Sequence, residues 1–244
     1  MPEAANKRER IWIMGASEGI GAALARAYAS RGADLFLSAR SPGPLQALAD
    51  ELGATAIPTD TTDLVALTQA AAQVGTVDRA ITLAALYDPG KAMQIDPAKA
   101  AQIVTANLTG SFLFARAAVP VLRAGGQLAL TGSVAGYVGL PQGQIYSATK
   151  AGVINLAETL RAELSPGIDV RLICPGFVAT RMTARNDFDM PAIITPEAAA
   201  DQIVKGLDSR RFEVHFPRRL TLALKLLRAL PYALSLPLTK RLVR

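Results

Sequence analysis

Tyr146 and Lys150 stand four positions apart in the run Tyr146-Ser147-Ala148-Thr149-Lys150, and residues at that spacing share one face of a helix. A free phenol has a pKa near 10, so to work as a base at neutral pH it must fall by roughly three units, or ~4 kcal/mol. An ammonium on the same face acts in that direction by favouring the phenolate. Alone, such a pair is more often the amphipathic face of an ordinary helix. Here it has company. Ser133 lies thirteen residues upstream in Thr131-Gly132-Ser133, where an apolar run ends. Asn107 falls inside a long helical pattern, an unfavourable position for asparagine unless its side chain has a specific partner. A phenol, an ammonium, a hydroxyl and an amide brought together suit proton transfer to or from a polarised oxygen.

A second pattern suits an anion. The apolar run 11–14 leads straight into Gly15-Ala16-Ser17-Glu18-Gly19-Ile20-Gly21, and a helical pattern follows. Gly15 permits a sharp turn, Gly19 lets backbone approach a pyrophosphate, and Gly21 lets the helix pack closely on the strand. The free N–H groups and dipole of the helix N-terminus then favour phosphate. The next strand-like run ends Leu37-Ser38-Ala39-Arg40. A carboxylate about 20 residues beyond the glycines would hold a ribose 2′-hydroxyl. Ala39 and Arg40 stand there instead, and an arginine suits a 2′-phosphate. The pattern points to NADP(H) in preference to NAD(H).

These groups need a scaffold, and the chain alternates short apolar runs with longer helical patterns. Strand-like runs fall at 11–14, 35–38, 55–58, 80–83, 127–131, 170–174 and 212–216. Helical patterns lie between them at 20–30, 45–51, 64–73, 98–122, 147–164 and 196–207. The expectation is an α/β fold: one doubly wound parallel sheet of about seven strands with helices on both faces. In such sheets ligands sit beyond the carboxyl ends of the strands, which is where several of the residues singled out above fall.

Composition narrows the options. Half of the 244 residues are apolar, which excludes a disordered chain. A single cysteine, Cys174, and a single histidine, His215, leave no internal disulfide and no thiolate-built metal site. Both read as structural residues of strand runs, and Trp12 reads as packing. The net charge of +6 is unevenly placed: seven basic residues and no acidic ones follow Glu213, leaving the remainder near neutral. That distribution argues against nucleic-acid binding, which needs a basic face across a folded domain.

Taken together, the glycine turn, Asn107-Leu108-Thr109-Gly110, Ser133, Tyr146-x-x-x-Lys150 and Pro175-Gly176-Phe177-Val178-Ala179-Thr180 resemble the short-chain dehydrogenase/reductase family in its shorter branch. The motifs match over residues 11–180 and the spacing stays compatible to Phe216. The resemblance implies a Rossmann-type fold and hydride transfer between a nicotinamide and a carbonyl or alcohol. Tyr146 would then be the acid/base, Lys150 would lower its pKa and bond the nicotinamide ribose, and Ser133 would bind the substrate oxygen. Asn107 would hold a water linking Lys150 to solvent. Cofactor contacts are implied at Gly15, Ser17, Gly19, the backbone of Ile20, Gly21 and Arg40, with Asp60 at the adenine and Ala84 after the fourth strand. Pro175, Gly176, Val178 and Thr180 would surround the carboxamide. A homodimer or homotetramer is implied as well. The chain departs from the family in having Thr82-Leu83-Ala84-Ala85 where Asn-Asn-Ala-Gly is usual, and Met14 where threonine is usual.

The division expected is a catalytic domain over residues 1–216 and a basic amphipathic tail over 217–244. In the tail Arg218, Thr221, Lys225, Arg228 and Tyr232 form one polar stripe among leucines, with Pro231 and Pro237 interrupting the helix. The tail reads first as a segment packing its leucines on the body or a partner subunit, and second as a peripheral contact with an anionic inner membrane surface. A cytoplasmic protein is expected. Residues 181–194 read as a substrate lid. Apolar stretches near the site suit an apolar or amphipathic carbonyl substrate. The rival reading is a non-catalytic nucleotide-binding regulator or membrane-associated scaffold.

Overall fold

The computed structural model describes residues 8–240. Seven strands form one wholly parallel sheet in the order β3-β2-β1-β4-β5-β6-β7. They are β1 (Arg10–Met14), β2 (Asp34–Ser38), β3 (Thr55–Ala56), β4 (Val77–Thr82), β5 (Leu122–Thr131), β6 (Asp169–Pro175) and β7 (Glu213–Phe216). Between them run α1 (Gly19–Ala29), α2 (Pro42–Leu52), α3 (Leu64–Val74), α4 (Pro97–Val104), α5 (Gly110–Ala118), α6 (Gln144–Leu164) and α7 (Pro196–Leu207). The chain continues into α8 (Arg218–Ala229) and α9 (Tyr232–Lys240).

Strand alternation sorts side chains into two cores, one on each face of the sheet. Ile11, Ile13, Leu35 and Leu37 pack under α1, α2 and α7. Trp12, Met14, Leu128 and Leu130 pack under α3, α5 and α6. Trp12 is fully buried, lies 4.8 Å from the Phe114 ring and donates its indole N–H to Ser38 Oγ at 3.0 Å. Because both faces are covered, the strands read as nearly continuous apolar runs. At the far end from the site, Arg79 ties β4 to Asp208 at the close of α7 at 2.8 Å and to the Tyr28 hydroxyl at 3.1 Å.

Three local expectations need correction. Strand β3 stops at Ala56 instead of Pro58, since proline brings no N–H to a ladder. The helical pattern expected over 98–122 is broken by a π-helical turn at Thr105–Thr109, and Leu122 already belongs to β5. Pro237 does not interrupt a helix but lies inside α9, a helix that follows the break at Pro231. Among the described residues no helix is long and apolar enough to cross a membrane.

Candidate active site

The carboxyl ends of β1, β2, β4, β5 and β6 open onto a cleft of about 630 Å³. Its base is the glycine turn. Gly15 takes φ +85°, and a Cβ there would come within 2.5 Å of Ala84 N. At Gly21 a Cβ would lie 2.0 Å from Gly15 O. The turn therefore packs backbone against backbone, and its amides at Gly15 and Ala16 are spent on Ser38 O at 2.7 and 3.1 Å. No side chain caps α1, whereas Asp63, Asp96 and Thr195 cap α3, α4 and α7. The first N–H groups of α1 thus keep their donor capacity toward the cleft.

Ser17, Gly19 and Ile20 line the same wall. Arg40 and Ser41, just past β2, form one end of it; Arg40 is exposed and makes no ion pair among the described residues. Asp60 lines the cleft with its carboxylate turned back to accept from Thr62 N at 2.8 Å and Thr62 Oγ1 at 2.7 Å. Ala84 sits against the turn, and Pro175, Gly176, Val178 and Thr180 form the opposite wall. Arg181 reaches across the mouth to Glu18 at 2.9 Å.

At the centre, Ser133 lies two residues past β5 in extended conformation and accepts from Ala135 N at 3.1 Å. Tyr146 and Lys150 lie in the first two turns of α6 and both line the cleft with Ser133. Lys150 is buried, donates to Thr131 O at 2.8 Å and places Nζ 5.7 Å from the Tyr146 ring centroid. Tyr146 is half-buried and lines the cleft. Desolvation there pushes the phenol up to about 12, against a hydrogen bond with Ser133 that pulls it down. Desolvation also pulls Lys150 down to about 8. Burial is thus the leading influence on the phenol and acts upward, and Ser133, not Lys150, is the group that pulls it down.

Of the residues singled out from sequence, Asn107 alone does not line the cleft; it stands behind it. The π-helical turn directs its amide inward, where Oδ1 accepts from Leu86 N at 2.7 Å and Nδ2 donates to Leu86 O at 2.9 Å. Nδ2 also donates to Thr149 Oγ1 at 3.2 Å, whose hydroxyl donates to Tyr146 O at 2.7 Å. Asn107 therefore fixes the loop after β4 to the first turn of α6, and its link to Tyr146 runs through Thr149. Such π turns recur at functional sites.

A second cavity, of about 980 Å³, shares Ser133, Tyr146, Gly176, Met182 and Thr183 with the cleft. Elsewhere its walls are largely apolar, with Leu140, Phe177 and Phe188 facing Leu220, Leu224 and Leu227 of α8.

The chain as a whole has counterparts among known proteins. A family model described as short chain dehydrogenase matches residues 9–190. The chain belongs to the short-chain dehydrogenase family. This dehydrogenase is 31% identical over 242 residues to an uncharacterized oxidoreductase of Myxococcus xanthus, covering 94% of this chain and 96% of that protein. It is 31% identical over 200 residues to the 3-oxoacyl-(acyl-carrier-protein) reductase of Escherichia coli, with 78% and 82% of the two chains covered. Among solved structures, a short chain dehydrogenase from Burkholderia cenocepacia in complex with NADP gives a TM-score of 0.81 at 26% identity, covering 97% of this chain and 98% of that one. As a member of the family, the dehydrogenase is an oxidoreductase.

Sequence reasoning missed part of the surroundings of this site. Tyr87 packs edge-on against Tyr146, ring centroids 4.9 Å apart, and donates its hydroxyl to Asn186 Oδ1 at 2.7 Å. Arg185 bonds Tyr87 O at 3.0 Å and Asp88 at 2.7 Å, so the segment expected as a lid is tied to the loop after β4. Nothing in local spacing marks Tyr87; only the pairing with the 181–194 segment shows it. The helix α8, read as part of a tail, supplies a cavity wall because Thr221 bonds His215 at 2.7 Å and Lys225 pairs with Glu213, clamping it beside β7.

Proposed function

We propose that this dehydrogenase uses NADPH to reduce the carbonyl of an apolar or amphipathic substrate, with Tyr146 as the proton donor. The observation that carries the reading is the meeting of two cavities at one pair of hydroxyls. The glycine-floored cleft and the apolar cavity share Ser133 and Tyr146, so a carbonyl lying in the second would present its oxygen where the first ends.

The cleft fits a dinucleotide in its chemistry. The uncapped start of α1 suits a pyrophosphate, and Arg40 suits a 2′-phosphate. Bound there, NADPH supplies the hydride. Ser133 and Tyr146 hold the carbonyl oxygen as negative charge develops on it, a preorganised electrostatic role. Tyr146, protonated at neutral pH, gives its hydrogen to that oxygen. Lys150, tethered to Thr131 O, keeps a positive charge beside the phenolate left behind. Asn107 and Thr149 hold the first turn of α6 in place. Reduction begins from the phenol and oxidation from the phenolate, so the two directions should differ in their pH profiles.

The apolar walls and the acyl-group reductase among the relatives both support a lipid-like or acyl ketone. NADPH oxidation measured over ketones of increasing chain length tests the reading. Values of kcat/KM should rise with chain length as the apolar cavity fills, and a flat series would defeat the assignment of that cavity.

Coenzyme choice is tested separately with Arg40→Glu. A charged hydrogen bond contributes about 1.5–3 kcal/mol, so losing it should lower kcat/KM for NADPH by about ten- to a hundredfold while NADH is little affected. Equal losses with both coenzymes would remove Arg40 from the discrimination.

A further inference from the structure

Helix α9 is inside out for a segment in water, and α8, which buries Leu224, still leaves other leucines exposed. In α9 the buried side chains are the polar ones, Ser235 and Thr239, with the Thr239 hydroxyl donating to Leu236 O at 2.9 Å. Its apolar residues face outward: Tyr232 is 81% exposed, Leu234 56% and Leu236 59%. The polar stripe of α8 likewise turns inward at Thr221 and Lys225, toward His215 and Glu213. Leu222 and Leu226 stand outward beside Arg218 and Arg219, on the face these residues share at three- and four-residue steps. Arg228 and Lys240 are exposed at the helix ends.

A contiguous apolar surface of this kind calls for an occupant, and the charges select it. No acidic residue follows Glu213 in the sequence. A symmetric contact with a second copy would set the patch against itself, bringing Arg218, Arg219, Arg228 and Lys240 near their own kind with no carboxylate in the segment to pair them. An anionic lipid surface satisfies both halves of the pattern. The leucines and Tyr232 would enter the boundary between headgroups and acyl chains, and the cations would lie among phosphates. At twelve and nine residues, α8 and α9 are too short to span a bilayer.

We infer that α8 and α9 lie in the plane of an anionic membrane surface and that the apolar cavity draws its substrate from that surface. Leu226 and Leu238 belong both to the cavity lining and to the exposed face, so the outer wall of the cavity is the wall that meets lipid. The substrate class follows: a carbonyl compound amphipathic enough to partition into the bilayer. This second half rests on the proposed reductase reading; the lipid contact does not.

The test floats full-length protein with vesicles of phosphatidylcholine alone or mixed with phosphatidylglycerol. Wild type should partition at least tenfold more strongly onto the mixed vesicles, and raised salt should weaken the binding. The variants are Leu222→Ser/Leu234→Ser/Leu236→Ser, none of which lines the cavity, and Arg218→Gln/Arg219→Gln. Each should lose at least tenfold in vesicle binding while keeping wild-type turnover of a short water-soluble ketone, which also reports that it is folded. Wild-type protein remaining in the soluble fraction with mixed vesicles would overturn the proposal. So would a leucine variant whose sedimentation shows a dissociated oligomer with vesicle binding unchanged, since the face would then be a contact between copies. Absence of wild-type ketone turnover would instead count against the reductase reading, leaving vesicle binding to be judged by itself.

Discussion

Tyr146→Phe should lower the rate of ketone reduction by about 10²–10⁴-fold, the range spanned by loss of a positioned general acid. The substitution removes one oxygen and leaves the ring that packs against Tyr87, so affinity for NADPH should hold in a fluorescence titration. The pH profile gives an independent check on direction. With the phenol pushed up to about 12, it stays protonated across the neutral range, so wild-type reduction should be nearly flat there and fall only as Lys150 loses its charge around pH 8. Oxidation of the corresponding alcohol needs phenolate and should climb about tenfold per pH unit until the phenol ionises. A variant that retains wild-type turnover, or an oxidation rate indifferent to pH, would take Tyr146 out of the proton transfer.

Gly21→Ala should be the most damaging small substitution for cofactor binding. Its added carbon would lie 2.0 Å from Gly15 O and 2.9 Å from Gly15 C; both neighbours are backbone, so either the turn or α1 must move. Overpacking costs about 1–3 kcal/mol in a well-packed site, and at about 2–4 °C per kcal/mol for a domain of this size the melting temperature should fall by up to about 12 °C. Because the displaced atoms form the floor of the cleft, NADPH affinity should fall by at least about a hundredfold, or 2.7 kcal/mol, beyond what lost stability explains. Calorimetry beside a binding titration separates the two effects, and unchanged values in both would refute the close-packing argument.

What the sequence made legible was what local spacing encodes. The glycine turn after an apolar run, the four-residue step from Tyr146 to Lys150, and the alternation of strand and helix patterns each depend on near neighbours along the chain. They were sufficient for the family and for the parallel sheet. Features set by distant segments were not readable. The π turn at Thr105–Thr109 carries Asn107, whose amide meets Leu86 across the loop after β4. The polar stripe of α8 could be read from its spacing, but its direction depends on Glu213 and His215 of β7 being there to receive it. The upward push on the Tyr146 phenol was hidden for the same reason: the charge four residues away is visible in sequence, whereas the desolvation belongs to the assembled pocket. Tyr87 falls in the apolar stretch 86–95 that the sequence set near the substrate, but nothing local singles it out.

The order of the strands divides labour within the molecule. Arg40 follows β2 on one side of β1, while Ser133, Tyr146 and Pro175 gather around β5 and β6 on the other. The two groups meet only along the seam where β1 borders β4. On the proposed reading, coenzyme preference and choice of carbonyl are therefore governed by separate stretches of chain, and a lineage could retune either one while leaving its counterpart intact.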